Sequence, residues 1–223
     1  MPDGQYSFYL HSDDRTDIAA MATISTISQP LRGEFIRTAA TAGAVVYQVD
    51  ARLPALIPVF FAGQLSAVRL CAVMALVSGT WSSLTGLPDE PENGEAALPV
   101  SPETEYQRRR YTLTLQNDRS GERVESVLTE ASSRLRGDLL RNLIITGLAL
   151  HTTAPELPRL LASMPVPPTS VSELQALVQQ MAGTADVNRA AAAVPDTPAA
   201  SAAPVSGADT REIKKNMRRA FGD

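Results

Sequence analysis

The heptapeptide LRGEFIR at residues 31–37 returns as LRGDLLR at residues 135–141, with each residue 104 positions after its counterpart. Upstream, YSFYL at residues 6–10 corresponds to YTLTL at residues 111–115 with an offset of 105, which a one-residue gap in the loop near 12–16 explains. The offset of 104 also relates these pairs: Gly43 and Gly147, Leu53 and Leu157, Pro54 and Pro158, Leu70 and Leu174, Gly79 and Gly183. A repeat sustained over so many positions indicates a duplicated structural unit.

Each copy begins with a segment in which apolar and polar residues alternate. The apolar positions are Tyr6, Phe8 and Leu10 in the first copy and Tyr111, Leu113 and Leu115 in the second. A period of two over this length predicts a half-buried β-strand.

Helical patterns follow each strand. A first helix is predicted from the spacing of Val124, Val127, Leu128 and Ala131, and less clearly from that of Met21, Ile24 and Ile27. A second helix is predicted from about Gly33 or Gly137 to the Leu-Pro dipeptide, with Leu140, Leu143, Ile144, Gly147 and His151 on one stripe. A more apolar helical portion, near 65–77 or 171–181, completes each copy.

Composition divides the chain into five parts. Residues 1–86 and 106–183 are the two copies, and residues 87–105 form an acidic, Pro-rich linker. Residues 184–209, rich in Ala and Pro, predict a disordered tether. Residues 210–223 form a basic amphipathic tail.

One strand cannot stand alone, because its hydrogen-bonding groups would stay unpaired. We therefore predict a mainly α fold with short β-strands: two ribbon-helix-helix-like units, each with a helical cap, that pair through an antiparallel two-stranded ribbon. The two mates lie in one chain, as a pseudo-dimer, or in two chains, as a homodimer.

A two-stranded ribbon fits the major groove of B-DNA, where outward side chains contact base edges. Arg suits guanine, Gln suits adenine, and Thr can contact a base or a thymine methyl. The predicted base-reading residues are Arg110, Thr112, Thr114 and Gln116 in the second copy and Gln5, Ser7, Tyr9 and His11 in the first. A merely solvated sheet face would also be polar, and that alternative stays open.

The Arg-Gly turn before each second helix predicts contacts to DNA phosphates, since helix N-termini attract anions. The predicted phosphate-binding residues are Arg32, Gly33, Arg37, Arg108, Arg109, Arg136, Gly137 and Arg141, with Arg134 nearby. The alternative for the helical arginines is pairing with Glu34 or Asp138 on the helix surface.

Several function classes find no support in the sequence. The formal net charge is −4, so DNA contacts must come from local basic patches. Neither His11 nor His151 has partners at metal-ligand spacing, and a lone cysteine, Cys71, reads as a small buried hydrophobe. We therefore expect no enzyme activity, metal or cofactor, and a cytoplasmic protein without a membrane partner.

The tail predicts a docking helix. Ile213, Met217 and Phe221 lie four residues apart on one helical face, flanked by basic residues that include Lys214 and Arg218. A basic amphipathic helix on a long tether is typical of partner binding. Membrane-surface binding and an unstructured, solubilising end remain alternatives.

The second helix and its exit, RGDLLRNLIITGLALH at residues 136–151 and PELPRLL at residues 155–161, resemble the ParR/StbB family of centromere-binding plasmid partition proteins. The first copy resembles it through RTAATAGAVVY at residues 37–47 and LPAL at residues 53–56. The resemblance implies binding to centromere-like DNA repeats with higher-order assembly on them, repression of the protein's own operon, and a tail that engages an actin-like ATPase filament of the ParM/StbA type.

The duplication departs from the family pattern, in which two chains supply the two units. It allows the copies to diverge, so that one of them could have lost its DNA contacts. Two rival interpretations remain: a ribbon-helix-helix repressor without a segregation role, and a helical scaffold that does not bind DNA.

Overall fold

The computed structural model describes residues 4–80 and 107–192, with side chains described up to residue 183. The first half contains β1 (Gln5–His11), α1 (Arg15–Ser25), α2 (Arg32–Val49), α3 (Leu53–Phe60) and α4 (Ala67–Ser78), with a 3₁₀ turn (Gln29–Leu31) before α2. The second half contains β2 (Arg108–Thr114), α5 (Arg119–Glu130), α6 (Arg136–Thr153), α7 (Leu157–Ser163) and α8 (Val171–Ala192). The predicted mainly helical fold with a two-stranded antiparallel sheet is confirmed.

The two halves repeat the same order of elements, as the duplication predicts. Asp14 caps α1 by accepting a hydrogen bond from the Asp17 N–H, and Asp118 caps α5 by accepting one from the Gly121 N–H. These capping residues are 104 positions apart, whereas the strands are 105 apart. The extra residue of the first half therefore lies between the end of the strand and Asp14.

The sheet joins the two halves of the chain. Strands β1 and β2 are antiparallel, and the register runs from Gln5 opposite Thr114 to His11 opposite Arg108. Phe8, Leu10 and Leu113 point into the core with side chains at most 2% exposed, as the alternation predicts. The Phe8 and Tyr111 rings stack with centroids 5.3 Å apart.

Helices α2 and α6 pack against each other at the centre of the core, at two glycines. A Cβ atom on Gly43 would overlap the backbone of Leu143, and one on Gly147 would overlap the backbone of Ala39. Ala39 and Leu143 are themselves counterparts at the offset of 104. The contact is therefore the same from both sides, and only a residue without a side chain allows so close an approach.

Each central helix also packs against the other half. Helix α2 contacts α5 and α7, while α6 contacts β1 and α3. Within each half a hydroxyl joins the first helix to the third: Thr16 Oγ1 donates to the Pro58 carbonyl, and Ser120 Oγ donates to the Ala162 carbonyl. The halves are interlocked and share one hydrophobic core.

The structure differs from the sequence-based expectation at the two Leu-Pro dipeptides and at the end of α8. The Leu-Pro dipeptides do not simply end the second helices; they begin the short helices α3 and α7, because proline is tolerated in the first turn, where its missing N–H has no partner to lose. Helix α8 runs to Ala192, so the predicted tether at 184–209 begins inside a helix. The linker at 87–105, the tail at 210–223 and the end of the first unit at residue 86 lie outside the described residues.

Candidate nucleic-acid interface

The outer face of the sheet carries most of the predicted base-reading residues. Gln5, Ser7, Tyr9 and His11 alternate with the buried side chains of β1, and Arg110, Thr112 and Thr114 do the same on β2. Gln116 follows β2 and is exposed. The hydrogen bonds between the two strands continue to Leu115, the residue before Gln116, because the Leu115 N–H donates to the Gly4 carbonyl. These side chains thus lie on the outer face of the sheet, and their role in reading bases stays a prediction.

Strand β2 begins at Arg108, two residues before the predicted base-reading set. Arg108 therefore stands on the outer face opposite His11, beside the residues predicted to read bases rather than apart from them. Arg109 occupies the alternate position opposite Leu10, and its guanidinium carbon lies 5.4 Å from the centroid of the Tyr111 ring.

Two arginines of the outer face are held by side chains of β1. The guanidinium carbon of Arg108 lies 3.6 Å from the centroid of the Tyr9 ring, a cation–π contact. Arg110 donates to Ser7 Oγ through Nε at 3.2 Å and Nη2 at 2.9 Å. Thr112 and Thr114 are exposed. The outer face therefore presents positioned positive charge next to exposed hydroxyl and methyl groups.

The N-termini of α2 and α6 flank the sheet. A Cβ atom on Gly137 would stand 3.5 Å from the Ser7 carbonyl oxygen, so α6 starts beside β1. Burial raises the pKa of Tyr6 and of Tyr111, while the nearby charges of Arg136 and Arg32, respectively, oppose that rise. Each of these arginines thus lies close to the strand of the other half.

Arg32 and Arg136 also stabilise equivalent turns. Arg32 Nε donates to the Ile27 carbonyl at 2.8 Å, and Arg136 Nε donates to the Ala131 carbonyl at 3.2 Å. Arg32 Nη2 also donates to the Ser25 carbonyl at 3.2 Å, so Arg32 uses two of its guanidinium nitrogens to hold the turn.

Arg141 occupies a different environment from Arg37, its counterpart on α2. Its Nε donates to Asp17 Oδ1 at 2.6 Å, and its Nη2 lies 3.2 Å from Asp14 Oδ2. The Asp17 side chain is only 1% exposed and also accepts the His11 N–H. Burial raises the pKa of Asp17 although the hydrogen bond from Arg141 opposes it. Much of the charge of Arg141 is therefore neutralised by carboxylates. Arg37 is partly buried on α2, close to Gly33.

The sequence interpretation missed a group of carboxylates beside the sheet. A depression of about 510 Å³ is lined by Tyr9, His11, Asp13, Asp14, Asp17, Arg108, Asp138, Arg141 and Asn142. Asp13 and Asp14 belong to the connection that is one residue longer than its counterpart, and Asp17 lies in the first turn of α1. Their density in that short stretch was the signal that could have revealed this acidic flank.

The remaining predictions concern the tail, metal ligands, membrane-spanning helices and Cys71. The tail residues Ile213, Lys214, Met217, Arg218 and Phe221 lie outside the described residues. Within residues 4–80 and 107–192, no group of three or more His, Cys, Asp or Glu residues is placed to hold a metal ion. Over the same residues, no helix is long and apolar enough to cross a membrane. Cys71 is buried, as predicted.

Comparison with known proteins identifies one family. A family model described as "Plasmid stability protein" matches residues 4–74 and again residues 109–178, more than half of the chain. The two matched regions coincide with the two halves of the repeat. No curated protein and no solved structure matches the chain significantly.

Proposed function

The chain belongs to the family of plasmid stability proteins, and from this premise we propose that it binds specific DNA sites and links them to a segregation filament. In this proposal the fold is a ribbon-helix-helix pseudo-dimer made within one chain. The sheet enters the major groove of a centromere-like repeat, and the helix N-termini beside it contact the phosphates.

The observation that carries the proposal is the outer face of the sheet. Its inner side buries Phe8, Leu10 and Leu113 in the core, while its outer side exposes Arg108, Arg110, Thr112 and Thr114 to solvent. A two-stranded ribbon has the width that the major groove admits, and arginine and threonine match the groups exposed there. Two successive outer positions of β2 carry arginines, Arg108 and Arg110, which contact Tyr9 and Ser7 respectively.

Phosphate contacts would come from the flanks. The first turns of α2 and α6 present the positive end of a helix dipole to an anion. Arg32 and Arg136 stand at these turns, where they would add positive charge beside the phosphates. Among the predicted phosphate-binding residues, Arg141 has the weakest support, because its guanidinium already forms ion pairs with Asp14 and Asp17.

The test is binding to the DNA upstream of the protein's own gene, measured by fluorescence anisotropy at several salt concentrations. We expect the preference for this upstream DNA over unrelated DNA to be lost in the triple variant that combines Arg110→Ala, Thr112→Ala and Thr114→Ala. Each good base contact contributes about 1–3 kcal/mol. The matched control is Arg159→Ala, which removes an exposed arginine from α7. Unchanged discrimination by the folded triple variant would contradict DNA reading through the sheet.

Repression of the protein's own operon would follow from the same contacts. A reporter under the upstream promoter should be silenced by the unaltered protein and released by the triple variant. A reporter that responds equally to both proteins would separate repression from DNA reading.

We propose that the tail, residues 210–223, docks on an actin-like ATPase filament. The support is the apolar stripe of Ile213, Met217 and Phe221 among basic residues, together with the family resemblance. A short isolated helix is marginal in water and gains stability on a partner. Removing the residues after Ala208 should spare DNA binding and abolish co-sedimentation with filaments. Loss of DNA affinity with filament binding intact would make the tail a DNA-binding arm instead.

A further inference from the structure

The register of the sheet locates a pseudo-two-fold axis. Tyr6 and Tyr111 are counterparts in the repeat, so Ser7 and Thr112 are counterparts as well. These two residues also lie directly opposite each other in the sheet. The axis that relates the two halves therefore crosses the sheet at the Ser7–Thr112 pair, and positions equally distant from this pair are equivalent.

The two ends of the outer face differ in chemistry. On one side of the axis Tyr9 faces Arg110 and His11 faces Arg108; we call these four residues the arginine end. On the other side Gln5 faces Thr114, with Gln116 beyond it; we call these three residues the amide end. Gln5 is the counterpart of Arg110, Thr114 that of Tyr9, and Gln116 that of His11.

At the arginine end, neighbouring side chains contact both guanidinium groups. Arg108 stacks on Tyr9 across the sheet, and Arg110 is bonded to Ser7 next to the axis. Holding both guanidinium groups in place before binding lowers the entropy lost when they contact bases. Arginine donates two parallel hydrogen bonds to O6 and N7 of guanine, whereas glutamine pairs with N6 and N7 of adenine.

The surfaces that flank the two ends of the sheet also differ in charge. Asp13, Asp14, Asp17 and Asp138 surround the depression beside the arginine end, and Arg141 pairs with two of them. At the equivalent flank, Gly121 replaces Asp17, and the shorter connection lacks one residue. Carboxylates repel phosphate, so the DNA backbone meets different electrostatic conditions on the two sides.

We propose that the chain recognises a DNA site without dyad symmetry and binds it in one orientation. A half-site containing G·C pairs lies beneath the arginine end, and an A·T-rich half-site lies beneath the amide end. This inference rests on the proposed DNA binding. Identical sites repeated in the same direction would then align all bound chains in the same direction.

The experiment begins with selection of duplexes from a random pool by the full chain. The selected site is then compared with two palindromes, each made by doubling one of its half-sites. We expect each palindrome to bind at least tenfold more weakly than the selected site, because half of its bases face the wrong end of the sheet. Equal affinity for the selected site and a palindrome would overturn the inference while leaving DNA binding intact.

Variants at each end assign the half-sites. Arg110→Lys keeps the positive charge but not the bidentate geometry, so we expect at least a tenfold loss of preference confined to the G·C half-site, with an unchanged salt dependence. Gln5→Ala should lower preference in the A·T half-site only. If either variant lost preference equally in both half-sites, the inferred binding in one orientation would be wrong. Failure of the unaltered chain to select any duplex would overturn the proposed function and this inference with it.

Discussion

The two connections between strand and first helix show how the halves have diverged. In the first half Asp17 is buried, accepts the His11 N–H and binds Arg141. In the second half the equivalent residue is Gly121, where a Cβ atom would overlap the Gln116 carbonyl. The shorter connection brings the strand backbone onto the helix, and the longer one leaves room that a carboxylate fills. A change of one residue in length has therefore changed the local chemistry while the capping geometry stayed the same.

The contact between α2 and α6 shows the opposite behaviour. There the halves meet backbone against backbone, at Gly43 and Gly147, and both sides have kept the same residue. Any side chain at one of these positions would separate the helices that hold both halves together. The connections and the outer face of the sheet have thus diverged, whereas the glycine at the closest approach of the two helices is the same in both halves.

The largest expected effect comes from filling the central contact. Gly43→Ala and Gly147→Ala should each lower the free energy of unfolding by about 3 kcal/mol, because the new methyl would overlap backbone atoms that cannot rotate away. Urea denaturation followed by circular dichroism measures the loss. The matched control is Gly183→Ala in α8, where no atom lies within 4 Å of the added methyl; it should gain about 0.5–1 kcal/mol. If only one of the two central variants were destabilised, the equivalence of the two sides would be wrong.

An intermediate effect is expected at the shorter connection. Gly121→Ala should cost about 2 kcal/mol, since the Gln116 carbonyl must shift but belongs to a connection that can partly adjust. Gly137→Ala is the control, because its nearest contact of 3.5 Å is an ordinary one. Thermal unfolding of both variants gives the comparison.

Lengthening that connection sharpens the comparison between the halves. With one residue inserted after Gln116, as in the first half, Gly121→Ala should cost much less than it does in the original chain. An equal cost in both backgrounds would show that connection length and the glycine are unrelated.

The smallest expected effect concerns the buried carboxylate. Asp17→Asn removes one of the two carboxylates that contact Arg141. At neutral pH it should lower the free energy of unfolding by about 1 kcal/mol. Because burial raises the pKa of Asp17 in the folded protein, the folded state binds the proton more tightly than the unfolded state. The stability supplied by Asp17 is therefore fully present below the pKa that it has in the unfolded chain, and it declines as pH rises through the higher pKa of the folded state. The cost of Asp17→Asn should be largest in acid and smallest at neutral pH.

Asp50→Asn provides a control of opposite sign. The hydrogen bond from Arg52 lowers the pKa of Asp50, so the stability from this pair is present at neutral pH and is lost as pH falls through the folded pKa. Urea denaturation of both variants between acid and neutral pH should give slopes of opposite sign. Parallel slopes would contradict the pKa shift of one of the two groups.

Much of the fold could be predicted because it depends on local periodicity. Alternation predicted the inner faces of β1 and β2, and the constant offset predicted that α2 and α6 are equivalent. Helices α3 and α7 were missed because each is short and starts with a Leu-Pro dipeptide, and proline was interpreted as the end of a helix rather than its first turn.

The candidate site could be predicted only in part, for a related reason. The direction of the outer side chains follows from the alternation within each strand. The acidic flank does not, since Asp17 and Arg141 are 124 residues apart and meet only through the packing of α1 on α6. The difference between the arginine end and the amide end likewise depends on the register between two strands, which neither strand determines by itself.

Both strands of the sheet belong to one polypeptide. In an assembly of two chains, the paired sheet would be lost on dilution, because its formation is a second-order process. Here the strands meet in a first-order step, and the equilibrium constant for forming the sheet contains no concentration term. The entropic cost of closing the chain between the two strands grows only with the logarithm of the length of that chain. A cell that holds very few copies of this protein would therefore contain the same fraction of chains with a complete sheet as a cell that holds many.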